Sequence, residues 1–214
     1  LNPAQVITRN LEFIVLKYAD EIMDYTDISR YVEIVGTQNL YLIENLIPDN
    51  LSVGDIRFIL ASLVRERISV KDIIYIFEKL NDIAAESENN EETLEMLRKK
   101  LSRQICDGIS DENGNITAVD IGNELTLYFK KLFKSSEETI QKKLKSQKIK
   151  QIFKKISDFI KNSHLENKCP VIIAPPEIRL NLFLLLEEIF PCLSVISAQE
   201  VSNDYNVETM ETLI

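Results

Sequence analysis

One histidine, His164, three cysteines, Cys106, Cys169 and Cys192, and the turn Ala174-Pro175-Pro176-Glu177 are the places where this 214-residue chain could do chemistry. A zinc site, or a Ser–His or Cys–His pair, would have to be built around His164. That residue stands among Lys161, Asn162, Ser163 and Glu166 at the tail of a polar helical pattern, where it suits the helix's negative end. The cysteines form no CxxC pair, and an odd, scattered set argues against a disulfide framework and for buried thiols in a reducing compartment. The turn lies in "VIIAPPEIRLNLFLLLEEIF", between a strand pattern and a helix pattern. Many α/β enzymes hold a phosphate on the backbone N–H groups of such a turn. Pro175 and Pro176 have no N–H to give, and Glu177 adds a negative charge that repels phosphate. Proline in the first turn of a helix is instead favourable for starting it. The segment therefore reads as a structural strand–helix–strand unit. Glu187 and Glu188 are adjacent, point different ways around a helix, and make no acid–base pair on their own. There is no P-loop, GxGxxG, HExxH or GxSxG, and five glycines leave little material for such loops. The expectation is a protein that is not an enzyme, with no cofactor and no metal.

Charge narrows the partners. The formal net charge is −9, yet residues 130–168 carry twelve lysines against Glu137, Glu138, Asp158 and Glu166. An acidic chain is a poor nucleic-acid binder. The lysines spread around a polar helix face with almost no arginine, so the segment reads as a solvated face and no nucleic-acid partner is expected. Nucleic-acid binding by this Lys-rich 130–168 helix is the alternative reading. With 45% apolar residues the chain can bury a sizeable core in one large or two small domains. Its longest apolar run, Leu182–Leu186, is too short to span a bilayer. It begins at Leu1 and not Met, which reads as a piece of a longer protein.

The first two-thirds has helical spacing. Val6, Ile7, Leu11, Ile14, Val15, Tyr18 and Ile22 mark one stripe, opened by Pro3. Ile28, Tyr31, Val32 and Val35 mark a second helix, stopped at Gly36; Leu40–Leu46 reads as a short third, ended by Ile47-Pro48. In "LSVGDIRFILASLVRERISVKDIIYIFEKLNDIA", Ser52 with Asp55 and Ser69 with Asp72 resemble two capping boxes. Arg67-Ile68 alone would separate the two capped helices, and so short a link predicts a compact packed pair. After a polar loop, Leu94, Leu97, Leu101 and Ile105 share a helix face; the glycines of "CDGISDENGN" break the pattern, and the domain boundary is expected near residues 107–115. Beyond it, residues 116–121 and 207–213 read as strands. Residues 135–164 read as one long helix with the stripe Ile149, Ile152, Phe153, Ile156 and Ile160. Helix 177–190 is apolar almost all round, so burial on several sides is expected. The fold class is α+β: a helical part followed by a small α/β part with a βαβ unit.

Three stretches carry a resemblance. Leu51-Ser52-Val53-Gly54, Leu60 to Glu66, Ile68-Ser69-Val70-Lys71-Asp72 and Ile76-Phe77-Glu78-Lys79-Leu80 form the first; "LRKKLSRQIC" is the second; "VIIAPPEIRLNLFLLLEEIFPCLSVISAQEV" is the third. Together they resemble the cytoplasmic C-terminal part of the FHIPEP family, the large export-gate component of bacterial type III secretion systems. The resemblance implies a nonameric ring at the cytoplasmic face of the inner membrane, with the membrane reached only through an N-terminal half that lies outside this chain. It implies as partners other copies of itself, export chaperones with their cargo, and other export-apparatus proteins. It divides the chain into a helix leaving preceding subdomains (1–26), a helical ring-contact subdomain (27–106) and an α/β subdomain (107–214). Arg9 and Asn10 would stand near the chaperone cleft. There flagellar members often have Thr-His-Leu, so Arg9-Asn10-Leu11 favours the injectisome branch over the flagellar one, as does Arg103-Gln104-Ile105-Cys106. On the same basis Arg65, Glu66, Arg67, Lys71 and Asp72 become candidates for the subunit interface, because five charges around one link exceed what a solvated turn needs.

Overall fold

The computed structural model describes residues 2–213, the side chains of Arg9, Glu137, Thr139 and Gln141 excepted. The chain divides into two compact units, Leu1–Gln104 and Ile105–Ile214.

The first unit is helical. Helix α1 (Pro3–Lys17) starts at Asn2, which forms a capping box with Gln5. The expected stripe is interrupted at Tyr18 and resumes as the short α2 (Ala19–Ile22). Asp24 opens α3 (Tyr25–Gln38) by accepting from the amides of Asp27 and Thr26. These bonds, the Asp27 amide foremost, hold its carboxyl below the usual range. Contrary to expectation α3 runs through Gly36. An interior glycine costs only about 1 kcal/mol against alanine, and the buried Ile28 and Val35 outweigh it. Then come α4 (Leu40–Leu46), α5 (Val53–Arg65), α6 (Ile73–Ile83) and α7 (Asn90–Lys100); α8 (Ser102–Ile109) begins in this unit and continues past Gln104 into the second. Gly108 lies inside α8 and does not stop it.

The Ser52–Asp55 capping box stands as expected. Burial pushes the Asp55 carboxyl up, but hydrogen bonds from Ser52 and Asn90 outweigh it and leave the group below the usual range. The second box does not form. Asp72 alone caps α6, accepting from the Tyr75 amide at 3.2 Å, while Ser69 Oγ accepts from the Lys71 amide at 3.3 Å. Asp72→Ala should therefore cost about 1 kcal/mol, and Ser69→Ala clearly less. Thermal melts in which the two variants lose equal stability would restore the box.

The packed pair is also revised. The link is Glu66–Asp72, longer than the sequence suggested. Helices α5 and α6 make little contact with each other; each packs on α3 and α7. A longer link lets two helices separate and admit others between them.

The second unit is a parallel sheet with helices. In order come β1 (Asn115–Ile121), α9 (Asn123–Phe133), α10 (Glu137–Leu144), α11 (Gln147–Leu165), β2 (Val171–Ile173), α12 (Pro176–Leu186), β3 (Ser194–Ile196) and β4 (Asn206–Leu213). The strand order is β3-β2-β1-β4, every neighbour parallel, so β2–α12–β3 is the expected βαβ unit. The long helix is two helices. The break falls at Lys145-Ser146, where Ser146 caps α11 through the Ile149 amide. Its stripe is otherwise as predicted: Ile149, Ile152, Ile156 and Ile160 are buried with Phe153 packed beside them. Helix α12 stops at Leu186, and Leu184 and Ile189 are exposed, so its burial is narrower than the all-round apolar pattern implied.

Gly122 joins β1 to α9. Its N–H donates to the Leu213 carbonyl at 2.8 Å, and a Cβ there would stand 2.8 Å from that same oxygen. Gly122→Ala is expected to cost about 1–3 kcal/mol, because the obstruction is backbone and cannot rotate away. Urea melts showing no change would mean the end of β4 yields freely.

Candidate functional site

The charged link begins as a helix stop. After Arg65 the chain forms a Schellman motif, in which the Arg67 amide donates to the Val64 carbonyl at 2.9 Å and the Ile68 amide to the Leu63 carbonyl at 2.8 Å. Arg67 takes the left-handed conformation, φ 64°, that glycine usually fills here. An L-residue pays roughly 1–2 kcal/mol for it. The buried Ile68 and Leu63 help to offset that cost.

The five link charges then part company. Glu66 turns inward and pairs with Arg98 of α7 at 2.9 Å, the side chains 4% and 2% exposed. Arg67 turns outward and pairs with Glu12 of α1. Arg65 is half-buried. Lys71 is exposed, and among the described residues its ammonium has no carboxylate partner. Asp72 is exposed and holds the start of α6. The Ser69 carbonyl accepts from Gln104 Nε2 at 2.6 Å, which ties the link to the beginning of α8. Among the described residues the link is thus a surface feature in which Glu66 is a buried anchor, Arg67 a bridged cation and Lys71 an exposed cation.

Asn10 lies exposed on α1, where Ile7, Leu11 and Ile14 are also exposed. The side chain of Arg9 lies outside the described residues.

The residues that invited chemistry have structural places. The Ala174 amide donates to the Ile196 carbonyl at 2.8 Å, and Pro175 leads into α12 with Pro176 in its first turn. Glu177 accepts from Lys130 at 3.1 Å; its own amide, and then Lys130, hold its carboxyl below the usual range. Beneath the turn Arg179 is wholly buried, donating to the Val195 carbonyl at 3.2 Å and lying 4.0 Å from the buried Glu200. His164 is exposed in the last turn of α11. Burial pushes the Cys106 thiol up, with Glu200 and Asp107 adding to it, so this thiol is a poor nucleophile. Among the described residues no three His, Cys, Asp or Glu side chains gather as metal ligands, and no helix is long and apolar enough to cross a membrane.

Sequence reasoning missed the partner of Glu66. A signal existed: Arg98 falls four residues after Leu94 and three before Leu101, on the face that α7 buries. A charge at such a position needs a buried counter-charge.

Known proteins share this architecture. Flagellar biosynthesis protein FlhA of Bacillus subtilis (strain 168) is 23% identical over 98% of this chain and 31% of its own length. The nonameric SctV-C of EPEC, solved by cryo-EM, superposes with a TM-score of 0.76 at 24% identity, over 97% of this chain and 62% of that one. The Chlamydia pneumoniae CdsV and CdsO protein complex gives a TM-score of 0.76 at 18% identity, over 100% of this chain and 63% of the matched one. The chain spans about a third of the length of the curated relatives it matches. The model of the FHIPEP family matches residues 1–206, nearly the whole sequence, and the chain belongs to that family.

Proposed function

We propose that this chain is part of the cytoplasmic ring of a type III protein export gate. In this reading nine copies close into a ring at the cytoplasmic face of the bacterial inner membrane and dock chaperone–cargo complexes for the secretion channel. It is a binding component and not an enzyme. One observation carries the reading: a protein whose structure is nonameric has the same fold over nearly all of this chain. A ring of identical copies needs two different faces on each, joined head to tail. The charged link is proposed as part of one of them, through Arg65, Glu66, Arg67, Lys71 and Asp72.

The docking role rests on α1. Arg9 and Asn10 are proposed to stand near the chaperone cleft, and the exposed Ile7, Leu11 and Ile14 give that helix apolar surface for a partner. Contact with other export-apparatus proteins is supported by the relative solved in complex with CdsO. The injectisome branch is preferred on Arg9-Asn10-Leu11 and Arg103-Gln104-Ile105-Cys106. Identity alone does not choose, since flagellar and injectisome relatives match about equally, at 23% and 24%.

The test is sedimentation velocity on the protein extended to the full cytoplasmic length of its relatives. A boundary at the mass of nine copies, growing with concentration, is the expected result. A monomer at every concentration, with no shift when candidate chaperone–cargo complexes are added, would overturn the reading.

A further inference from the structure

We propose that the groove between α11 and strands β1 and β4 docks an arginine side chain carried on an extended segment of a partner protein. The groove is open to solvent and has a volume of about 290 Å3, room for one long side chain. Val119, Phe159 and Met210 give it an apolar lining, and it carries the carboxylates of Asp158, Glu166 and Glu211 beside Lys155, with Lys161 and Lys168 at its rim. Arginine matches that combination: an apolar stem, and a planar fork of N–H donors that meets carboxylates two bonds at a time.

The carboxylates are available. Asp158 faces Lys161 at 3.6 Å, Glu166 faces Lys168 at 3.0 Å and Glu211 faces Lys155 at 2.7 Å, every one of these acids at least half exposed. Exposed pairs of this kind contribute little, so a guanidinium can take over without much loss. Ser163 is a second, independent pointer. It lines the groove, is 3% exposed, and its Oγ has no hydrogen-bond partner among the described residues. A helical serine ordinarily returns its hydroxyl to the carbonyl four residues back. A buried unpaired hydroxyl is unfavourable until a donor or acceptor reaches it.

The edge of the sheet makes the occupant a polypeptide. Among the described residues strand β4 is terminal in the sheet, and residues 208–212 are exposed. A terminal strand can hydrogen-bond an added strand. The register with β1 shifts between Ala118 and Val119, which leaves Met210 as the extra residue of a bulge, 62% exposed and on the groove. Bulges re-aim side chains beside sites. A segment laid along β4 would bring every second side chain to the α11 side.

The probes are the peptide acetyl-Thr-Val-Arg-Val-Thr-amide, its citrulline counterpart and free arginine, each titrated into the 214-residue chain with methyl-labelled methionines. The arginine peptide should move the Met210 signal and leave Met23 and Met96 in place. Citrulline, which lacks the charge, should bind at least tenfold more weakly, and free arginine more weakly still. Asp158→Asn and Met210→Lys, both at exposed positions that spare the fold, should each weaken the arginine peptide about tenfold. Equal binding of the arginine and citrulline peptides, an unmoved Met210, or no effect of either variant would overturn the proposal. Free arginine binding as tightly as the peptide would make this a small-molecule site and overturn the docking of a segment.

Discussion

Arg98→Ala is expected to cost about 3–5 kcal/mol, a large share of the stability of a small domain. Arg98 and Glu66 meet at 2.9 Å with almost no exposure. Removing one partner strands the other charge in a medium that solvates it poorly, and truncation adds a cavity beside Leu94 and Leu97. Removing both charges should be far milder. Glu66→Leu with Arg98→Met fills the space with apolar atoms and is expected to fall within about 1–2 kcal/mol of the parent, because a buried pair recovers little beyond its own desolvation. Urea unfolding of both single variants and the double variant supplies the full cycle. A loss under about 1 kcal/mol for Arg98→Ala would mean that water reaches the pair, and the anchor of the link would have to be sought elsewhere. A double variant as weak as the singles would mean that the pair is bonded into a wider polar network.

This anchor shows where reading the sequence stops. The Ser52–Asp55 box was legible because its signal is local: two residues three apart before an apolar run. The strands were legible because runs such as Val171-Ile172-Ile173 have few other uses. The end of α5 at Arg65 falls one residue from the expected stop, and the link is longer than the sequence suggested because Asp72 and not Ser69 caps α6. Gly36 and Gly108 gave the opposite error. Glycine is only a weak helix breaker, and the burial of Val35 and Ile109 overrides it. Between α10 and α11 the helical pattern continues unbroken, and Ser146 is the only cue to the break. The five link charges were legible as a cluster, but their roles were not. Glu66 and Arg67 find their partners in other helices, at Arg98 and Glu12, and nothing in the spacing of the cluster reports that.

Lys71→Glu is expected to dissolve the proposed ring while leaving the monomer folded. Of the five link charges, Glu66 is committed to Arg98, Asp72 to the start of α6, and Arg67 to Glu12, while Arg65 is half-buried. Lys71 is exposed with no carboxylate partner among the described residues, so reversing it changes charge without breaking a bond inside the subunit. Surface changes of that kind usually stay within about 0.5 kcal/mol of the parent stability. An exposed pair between neighbours is worth about 1 kcal/mol at most, but a closed ring repeats it at every contact. Nine repeats, the number in the EPEC relative, make about 9 kcal/mol per ring, roughly six orders of magnitude in the assembly equilibrium. Arg67→Glu should act in the same direction with a stability loss of its own, since it sets two carboxylates together at Glu12. Its left-handed backbone stays equally strained, so the added loss reports charge alone. Sedimentation velocity beside circular dichroism, on the protein at full cytoplasmic length, separates the outcomes, with Glu188→Lys as a control reversal in the second unit. Raising the salt should weaken the parent ring in the same way, because exposed charges are screened. Rings that persist in Lys71→Glu and in high salt alike would place the interface away from the link. Lost helicity in Lys71→Glu would mean the lysine serves the fold of its own subunit.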